Sequence, residues 1–324
     1  MSKNGLPRKP LTKRRLKNLI LNVLKNPFNM VVLVSLVILF CLIIIPLLTM
    51  IANTFTLAQG ELRRVQGHVG DFTLYYWKYI LASTLSGAVL WGPLKNSFIC
   101  GFFTVLVSVP LGSVLAWLMI RTDIPGKKIL GLLVTVPYMI PSWTKALAWL
   151  AMFRNSTSGA DGFLAGMGIP IPDWLAYGPI AIVLCMSMHY YAFSYIMVSG
   201  ALRSINSELE EMGEIQGASK AQILRHITLP LILPSVLSAT VMTISKSIGT
   251  YGVPANLGNR IGYYTLATKM RNFIDQGPQA VGYAMSIVLV LLAALIIFSN
   301  QRIVGVRKSY ATVSGKGGRA TLMP

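Results

Sequence analysis

The chain has 324 residues, of which 54% are hydrophobic and only 12% are charged, and its mean hydropathy is +0.61. Because an ordinary globular domain carries roughly 25% charged residues, this composition argues against a soluble enzyme. The 29 Lys and Arg residues against 10 Asp and Glu give a formal net charge of +19. These basic residues flank long uncharged runs, which indicates a membrane protein rather than a nucleic-acid-binding one.

Six stretches are long and apolar enough to cross a bilayer, which takes about 20 apolar residues per helix. The first is predicted over residues 29–52, between a basic cytoplasmic segment at 1–28 and an external loop at 53–94. A five-helix core at 95–304 follows, and its spans lie between Lys95 and Arg121, Lys128 and Arg154, Asp173 and Arg203, from about Leu229 through Lys246, and between Asp275 and Arg302. The continuous apolar blocks exclude the alternation of a β-barrel. The predicted fold class is therefore all-α, a polytopic membrane protein with six transmembrane helices.

The distribution of Lys and Arg predicts the orientation of these spans. With the N-terminus inside, about two thirds of the basic residues fall on the cytoplasmic side, in agreement with the positive-inside rule. An even number of spans then places both termini in the cytoplasm, including a basic, Gly-rich tail at 305–324 that we expect to be disordered. The segment from Leu16 to Val23 fits an amphipathic helix on an anionic membrane surface or, more simply, a topology signal.

Several common chemical functions are excluded by missing motifs. Cys41, Cys100 and Cys185 sit in apolar runs without metal-ligand spacing, so we expect packed thiols and no metal site. The chain has no G-x-x-x-x-G-K-[ST] phosphate loop and no His-Glu-x-x-His motif, which argues against ATP hydrolysis or metalloenzyme chemistry by this polypeptide. The spans hold no acidic residue for proton or sodium coupling, so an ion-coupled secondary transporter is only an alternative.

The loop at 204–228 is the polar segment best suited to bind a partner. Two capping boxes predict short helices that start at Ser207 and Ser219, and Gly217 stands where a left-handed C-cap would end the first helix. The loop also contains four of the ten acidic residues of the chain, at Glu208, Glu210, Glu211 and Glu214.

A simple solvated connection is the plainer interpretation of this loop. It does not explain the apolar residues of the two helices, which need a cover: Leu209, Met212, Ile215 and Leu224. Leu229-Pro230 follows the loop, and proline is tolerated in the first turn of a helix, so we expect the fifth span to begin there.

Helix breakers and charges within the spans mark candidate positions for a path through the membrane. Prolines in spanning helices free backbone carbonyls that a water-filled cavity can satisfy, although a packing kink explains each proline equally well. A lysine at a helix centre costs about 2.5 to 3.5 kcal/mol on insertion scales and usually faces a cavity, unless it snorkels to the interface. A lone histidine beside two tyrosines is more often a hydrogen-bonded packing residue than a substrate contact. The path candidates are Pro137, Pro141, Lys145, His189, Lys246 and Tyr251.

The loop resembles the signature of a known family, the inner-membrane permease subunits of binding-protein-dependent ABC importers. That signature is Glu-Ala-Ala, three residues, Gly, nine residues, Ile, any residue, Leu-Pro. The residues of this chain at the matching intervals are Glu211-Met212-Gly213, Gly217, Ile227 and Leu229-Pro230. Met212 and Gly213 depart from the two alanines. The resemblance extends from about Asn96 through the sixth span and includes the segments PLGSVLAWLMIRTDIPGK, VPYMIPSW and YGVPANLG.

The resemblance implies a type I ABC importer permease fold in the inner membrane of a prokaryote, without catalytic activity or a cofactor in this chain. The implied partners are a second permease subunit, identical or sister, two ATP-binding subunits that hold ATP and Mg, and an extracytoplasmic substrate-binding protein. Nucleic acid is not expected. The loop would dock into a groove on the ATPase and transmit its closure. The implied docking positions are Glu210, Glu211, Met212, Gly213, Gly217, Ala218, Ile227, Leu229 and Pro230.

The transported solute is the least determined part of this interpretation. The subgroup that the chain resembles imports ferric iron, polyamines, thiamine or aminoethylphosphonate, and the ferric iron branch is most similar. If Lys145 and Lys246 both line the path, they would repel polyamines and favour an anionic solute, such as a phosphonate, or ferric iron carried with anionic ligands. A polyamine or thiamine importer is the alternative within the same family.

Overall fold

A computed structural model describes residues 27–59, 65–156, 159–206 and 208–308. Over these ranges the chain is helical, with one isolated antiparallel bridge between Thr56 and Phe72. The all-α fold class predicted from the sequence is thus confirmed. The proposed amphipathic segment before Pro27 and residues 309–324 of the tail lie outside the described ranges.

The helices follow the chain from the first span to the last. In order they are α1 (Pro27–Asn53), α2 (Tyr75–Ala82), α3 (Gly92–Arg121), α4 (Lys127–Met139), α5 (Ser142–Phe153), α6 (Phe163–Gly166), α7 (Asp173–Ala176), α8 (Pro179–Ser204), α9 (Glu208–Ile215), α10 (Lys220–Ile223), α11 (Leu229–Gly249), α12 (Gly252–Leu257), α13 (Leu266–Gln276) and α14 (Gln279–Lys308). Two π-turns join them where the backbone widens, at Gly87–Trp91 before α3 and at Leu224–Thr228 before α11. A single 3-10 turn, Asn259–Ile261, follows α12.

Five of these helical segments are long and apolar enough to span a membrane, and they contain α1, α3, α8, α11 and α14. The third span predicted from the sequence is instead two shorter helices, α4 and α5, separated at Ile140 and Pro141. Both residues are extended, with ψ values of 130° and 141°. Proline has no N–H and disfavours a helical residue before it, which favours a break at this point.

The fifth span also differs from its prediction, because it does not begin at Leu229. The helix is continuous from Lys220 to Gly249 and passes through the π-turn at Leu224–Thr228. In a regular helix the Pro230 ring would clash with the carbonyl of residue 226, and proline has no N–H to donate to that carbonyl. The wider backbone of a π-turn relieves this crowding. The second loop helix and the fifth span therefore form one rod, which we call the 220–249 rod.

Smaller differences concern where the spans end. Lys95, predicted as a boundary of the second span, lies exposed in the first turn of α3. The external segment 53–94 contains α2 and the first π-turn. The last helix, α14, continues to Lys308, so the tail predicted to be disordered from residue 305 is helical for its first four residues.

The centre of the fold is the contact between α3 and α8. A Cβ atom at Gly112 would lie 2.4 Å from the Tyr191 carbonyl oxygen, so only glycine allows the two helices to approach this closely. Cys100 and Cys185 are buried beside this contact, as expected for packed thiols. Cys41 is exposed, which corrects the prediction for that residue, because α1 has no buried residues and lies at the edge of the bundle.

Candidate functional site

The loop at 204–228 folds as a helix, a glycine turn and a second helix. Gly217 has φ +83°, the Ala218 N–H donates to the Gly213 carbonyl at 3.0 Å, and the Gly217 N–H donates to the Glu214 carbonyl at 2.9 Å. These two bonds form a Schellman motif that ends α9. At the start of α10, Ser219 and Gln222 form the predicted capping box. The turn and the second cap are thus confirmed, whereas Ser207 lies outside the described residues.

Gly213 explains how the two loop helices pack so closely. A Cβ atom at this position would lie 3.1 Å from Ile227 Cδ1 and 3.2 Å from Ile223 Cγ1, which is tighter than ordinary contact. The position is one of the two at which this chain departs from the family signature. The smaller residue lets α9 lie directly against the rod, so the departure changes the packing of the turn without abolishing it.

The opposite side of α9 presents an apolar face. Leu209, Met212 and Ile215 recur every three residues and are 48%, 57% and 84% exposed. Among the predicted docking positions, Glu211 and Ala218 are half-buried, and Leu229 and Pro230 are exposed in the first turn of α11. An exposed apolar helix face next to charged residues is the arrangement expected of a surface that inserts into a groove.

Glu210, in contrast, faces the helix bundle. Its carboxylate accepts a hydrogen bond from the Thr228 hydroxyl at 2.6 Å and pairs with Arg121 at 3.1 Å. The Arg121 guanidinium also donates to the Leu202 carbonyl at the end of α8. The family resemblance predicts Glu210 as a docking position, but its side chain is only 7% exposed and is engaged within the chain. It therefore ties α9 to α3 and to the 220–249 rod.

A second group of functional candidates gathers at the break between α4 and α5. The Lys145 ammonium donates to the Pro137 carbonyl and to Nδ1 of His189. In an unbroken helix, that carbonyl would bond to the N–H of residue 141, which is proline and has none. Lys145 thus satisfies a backbone carbonyl that the helix break leaves open. Its side chain is half-buried and contacts α8 through His189.

Lys246, near the C-terminal end of the 220–249 rod, contacts residues of α4 and α8 close to this helix break. Its ammonium donates to the Tyr138 hydroxyl at 2.9 Å and lies 4.3 Å from the centre of the Phe193 ring. The Tyr138 and His189 rings are stacked with their centroids 5.3 Å apart. We call these five residues the cationic cluster: Tyr138, Lys145, His189, Phe193 and Lys246.

The cationic cluster lies midway along the spanning helix α8 and lacks compensating acids. His189 is ten residues from the start of α8 at Pro179, or about 15 Å at 1.5 Å per residue, in a helix that ends at Ser204. None of the helices that build the cluster, α4, α5, α8 and α11, contains Asp or Glu. The two ammonium groups are therefore stabilised by a carbonyl, a hydroxyl, an imidazole and aromatic faces.

Most of the predicted path residues lie close together in the structure, and two further residues join them. Pro137, Lys145, His189 and Lys246 are linked, and Pro141 forms the helix break. Tyr251 lies beyond the end of α11, is 44% exposed, and has no hydrogen bond to the cluster among the described residues. The additions, Tyr138 and Phe193, were not singled out from the sequence. Their only signals were the position of Tyr138 three residues before Pro141, and that of Phe193 one helical turn after His189.

A family model for the binding-protein-dependent transport system inner membrane component matches residues 108–309, which is more than half of the chain. The chain belongs to this family. It is accordingly a permease subunit without catalytic activity of its own, in a system whose ATPase is a separate subunit, and it is an integral membrane protein.

Two curated relatives and one solved structure illustrate the similarity. A protein of Marchantia polymorpha named for sulfate transport, cysT, is 27% identical over 180 residues, which cover 54% of this chain and 59% of that protein. The permease protein PhnV of Salmonella typhimurium, named for 2-aminoethylphosphonate transport, is 28% identical over 232 residues, 72% of this chain and 80% of PhnV. The chain thus spans about three fifths of the first relative's length.

The solved structure is a chain of a bacterial alginate ABC transporter in complex with an alginate-bound periplasmic protein. It superposes with a TM-score of 0.67 and 16% identity, covering 94% of this chain and 100% of that one. At this identity the similarity shows the fold alone, and it confirms the permease fold expected from the sequence.

Proposed function

We propose that this permease subunit conducts a small anionic solute through the cationic cluster, after an extracytoplasmic binding protein has delivered it. The observation that carries the proposal is the convergence of Lys145 and Lys246 on one aromatic and imidazole group without an acidic residue. Holding an ammonium group inside a membrane protein is costly, and a water-filled path or a bound anion reduces the cost. The two lysines make the path attractive to anions.

The relatives support an anionic solute more than the iron assignment. One is named for sulfate and the other for 2-aminoethylphosphonate, and both solutes carry negative charge. Ferric iron fits the same cluster only when anionic ligands accompany it. Polyamines and thiamine are cations, so the paired ammonium groups would repel them.

The proposed partners are a second permease subunit, two ATP-binding subunits that hold ATP and Mg, and the binding protein. The apolar face of Leu209, Met212 and Ile215 would enter a groove on the ATPase. The 220–249 rod then gives a direct mechanical route, because it begins in the loop and carries Lys246 near its other end. When the ATPase pair closes, movement of the loop would shift Lys246 relative to Lys145, and so open or close the path.

The proposed orientation places the loop and both termini in the cytoplasm and the break between α4 and α5 toward the outer half of the membrane. This arrangement follows from the positive-inside distribution of Lys and Arg. The membrane is the inner or plasma membrane of a prokaryote.

Uptake by the reconstituted transporter, with its ATPases and binding protein, tests the proposal. We expect ATP-dependent uptake of sulfate or 2-aminoethylphosphonate, and none of spermidine or thiamine. The double variant Lys145→Gln/Lys246→Gln should reduce anion uptake at least about tenfold, because each lost charge weakens the attraction. Lys78→Gln/Lys95→Gln removes two exposed charges outside the cluster and serves as the matched control. Equal uptake by the cluster variant and the control, or transport of a polyamine, would contradict the proposal.

A further inference from the structure

A cavity of about 850 Å³ opens between α3, α4 and α8, at the end of the bundle that carries the loop. Its rim is basic, with Lys127 and Lys128 at the start of α4 and Arg203 at the end of α8. Its walls are mainly apolar or small and include Met119 and Ile196. We call this cavity the basic groove.

The groove runs into the membrane from its charged rim. Gly131 and Thr135 follow Lys127 on one side of α4, and Ser199 and Tyr195 precede Arg203 on α8. Eight residues separate the rim from the innermost residues on each helix, which corresponds to a depth of about 12 Å. The groove is thus amphipathic, with cations at its rim and a mostly apolar interior that also contains small polar groups.

The charges of the rim are not compensated within the described part of the chain. Arg121 also lines the groove, but it is paired with Glu210. The Lys127 ammonium donates to the Thr122 carbonyl, and no ion pair joins Lys127, Lys128 or Arg203 to an acidic side chain among the described residues. The nearest acid along the chain, Asp123, is exposed in the turn before α4 and does not line the groove.

Two further observations indicate that the interior takes a ligand. Ser199 is only 6% exposed, and its Oγ has no hydrogen-bond partner among the described residues, although it belongs to the lining. Gly200, beside it, would place a Cβ atom in open space, with nothing within 4 Å. A buried hydroxyl without a partner is costly, and Ser199 lies one helical turn from Arg203, so an ester oxygen next to a phosphate held at the rim would satisfy it.

We infer that the basic groove binds an anionic phospholipid of the adjacent leaflet, with its phosphate at the rim and the upper part of an acyl chain along α4 and α8. Basic pockets between membrane helices recognise anionic head groups in this way. A free phosphate would satisfy the rim but leave the apolar interior empty, and a zwitterionic lipid would leave the positive charge of the rim unbalanced. The site is distinct from the cationic cluster and does not depend on which solute is transported.

Native mass spectrometry of the purified full chain, with added phosphatidylglycerol or phosphatidylcholine, tests the inference. We expect the chain to retain phosphatidylglycerol in preference to phosphatidylcholine. The triple variant Lys127→Gln/Lys128→Gln/Arg203→Gln should lower phosphatidylglycerol retention at least about tenfold, since each basic residue near an anionic surface contributes to binding. The control Lys78→Gln/Lys95→Gln/Arg260→Gln removes the same charge from exposed residues elsewhere and should retain the lipid like the parent.

A second variant separates groove binding from general electrostatic attraction. Gly200→Leu keeps every charge, fills open space and favours the helix, so it should fold normally and yet exclude the acyl chain. We expect it to lose phosphatidylglycerol about as strongly as the charge variant. Equal retention of the two lipids by the parent, no loss in either groove variant, or displacement of the lipid by inorganic phosphate would overturn the assignment.

Discussion

The Arg121–Glu210 pair and the cationic cluster are both groups of charges inside a largely apolar protein, but they are built differently. Glu210 and Arg121 are opposite charges 3.1 Å apart, the Thr228 hydroxyl donates to Glu210, and Arg121 donates to the Leu202 carbonyl. Lys145 and Lys246 are like charges that share aromatic and neutral polar neighbours. Opposite charges in contact join structural elements, whereas like charges held together without an acid leave capacity for a ligand. The comparison predicts different consequences when each group is broken.

Loss of the paired carboxylate should have the largest effect. Glu210→Ala leaves the Arg121 guanidinium buried without its partner, which typically costs about 3–5 kcal/mol. We expect a lower midpoint of thermal unfolding in detergent and loss of the tie between α9 and the rod. Glu214→Ala, an exposed glutamate on the same helix, is the control and should change stability by less than about 0.5 kcal/mol. If the two variants unfold at the same temperature, the pair does not stabilise the loop.

Gly217→Val tests the loop through its backbone rather than its charges. A β-branched residue at φ +83° is strained, so α9 and α10 should no longer meet in the same turn. We expect ATP hydrolysis that is no longer coupled to uptake, measured as ATP consumed per solute transported. Gly217→Asn tolerates the left-handed conformation and should remain largely coupled. Normal coupling in the valine variant would show that this turn does not transmit motion.

The two lysines of the cationic cluster should also differ from each other. Lys145→Met leaves the Pro137 carbonyl without its donor, at a cost of about 1–3 kcal/mol. Lys246 is exposed, so Lys246→Met should leave the unfolding midpoint almost unchanged while anion uptake falls. Adding Pro141→Ala to Lys145→Met restores an N–H near that carbonyl and should recover part of the stability. Equal unfolding midpoints for the two single variants would remove the proposed structural role of Lys145.

Labelling tests the orientation on which this comparison depends, and it should disturb the protein least. In a cysteine-free background, Met167→Cys lies in an exposed segment of the proposed external face, and Ser219→Cys lies in the proposed cytoplasmic loop. An impermeant thiol reagent should label residue 167 in intact cells and residue 219 only after lysis. Labelling of residue 219 in intact cells would reverse the orientation.

Local chemistry made much of this fold predictable. Four of the six predicted spans follow from uncharged runs, and the loop turn follows from Gly217 and the Ser219 capping box, since all of these act over a few neighbouring residues. The sequence also indicated that Pro141 would disturb the helix, but it did not indicate whether the helix would bend or break there. That outcome depends on Lys145 supplying the donor that the break requires.

Contacts between distant residues explain what the sequence did not reveal. Arg121 and Glu210 are far apart in the chain, and neither carries a local signal that names the other. The contacts of Tyr138 with Lys246 and of Lys145 with His189 likewise arise only when α4, α5, α8 and α11 pack together. The continuity of the 220–249 rod was missed because Leu-Pro resembles a helix start, whereas a π-turn carries the helix past it.

The length of that rod sets how far a small tilt can move its end. From Lys220 to Lys246 the axial distance is about 39 Å at 1.5 Å per residue. A tilt of about 5° at the loop therefore displaces the lysine end by about 3 Å. The Lys246–Tyr138 hydrogen bond is 2.9 Å long and would not survive such a displacement. A tilt of this size would be enough to separate Lys246 from Tyr138.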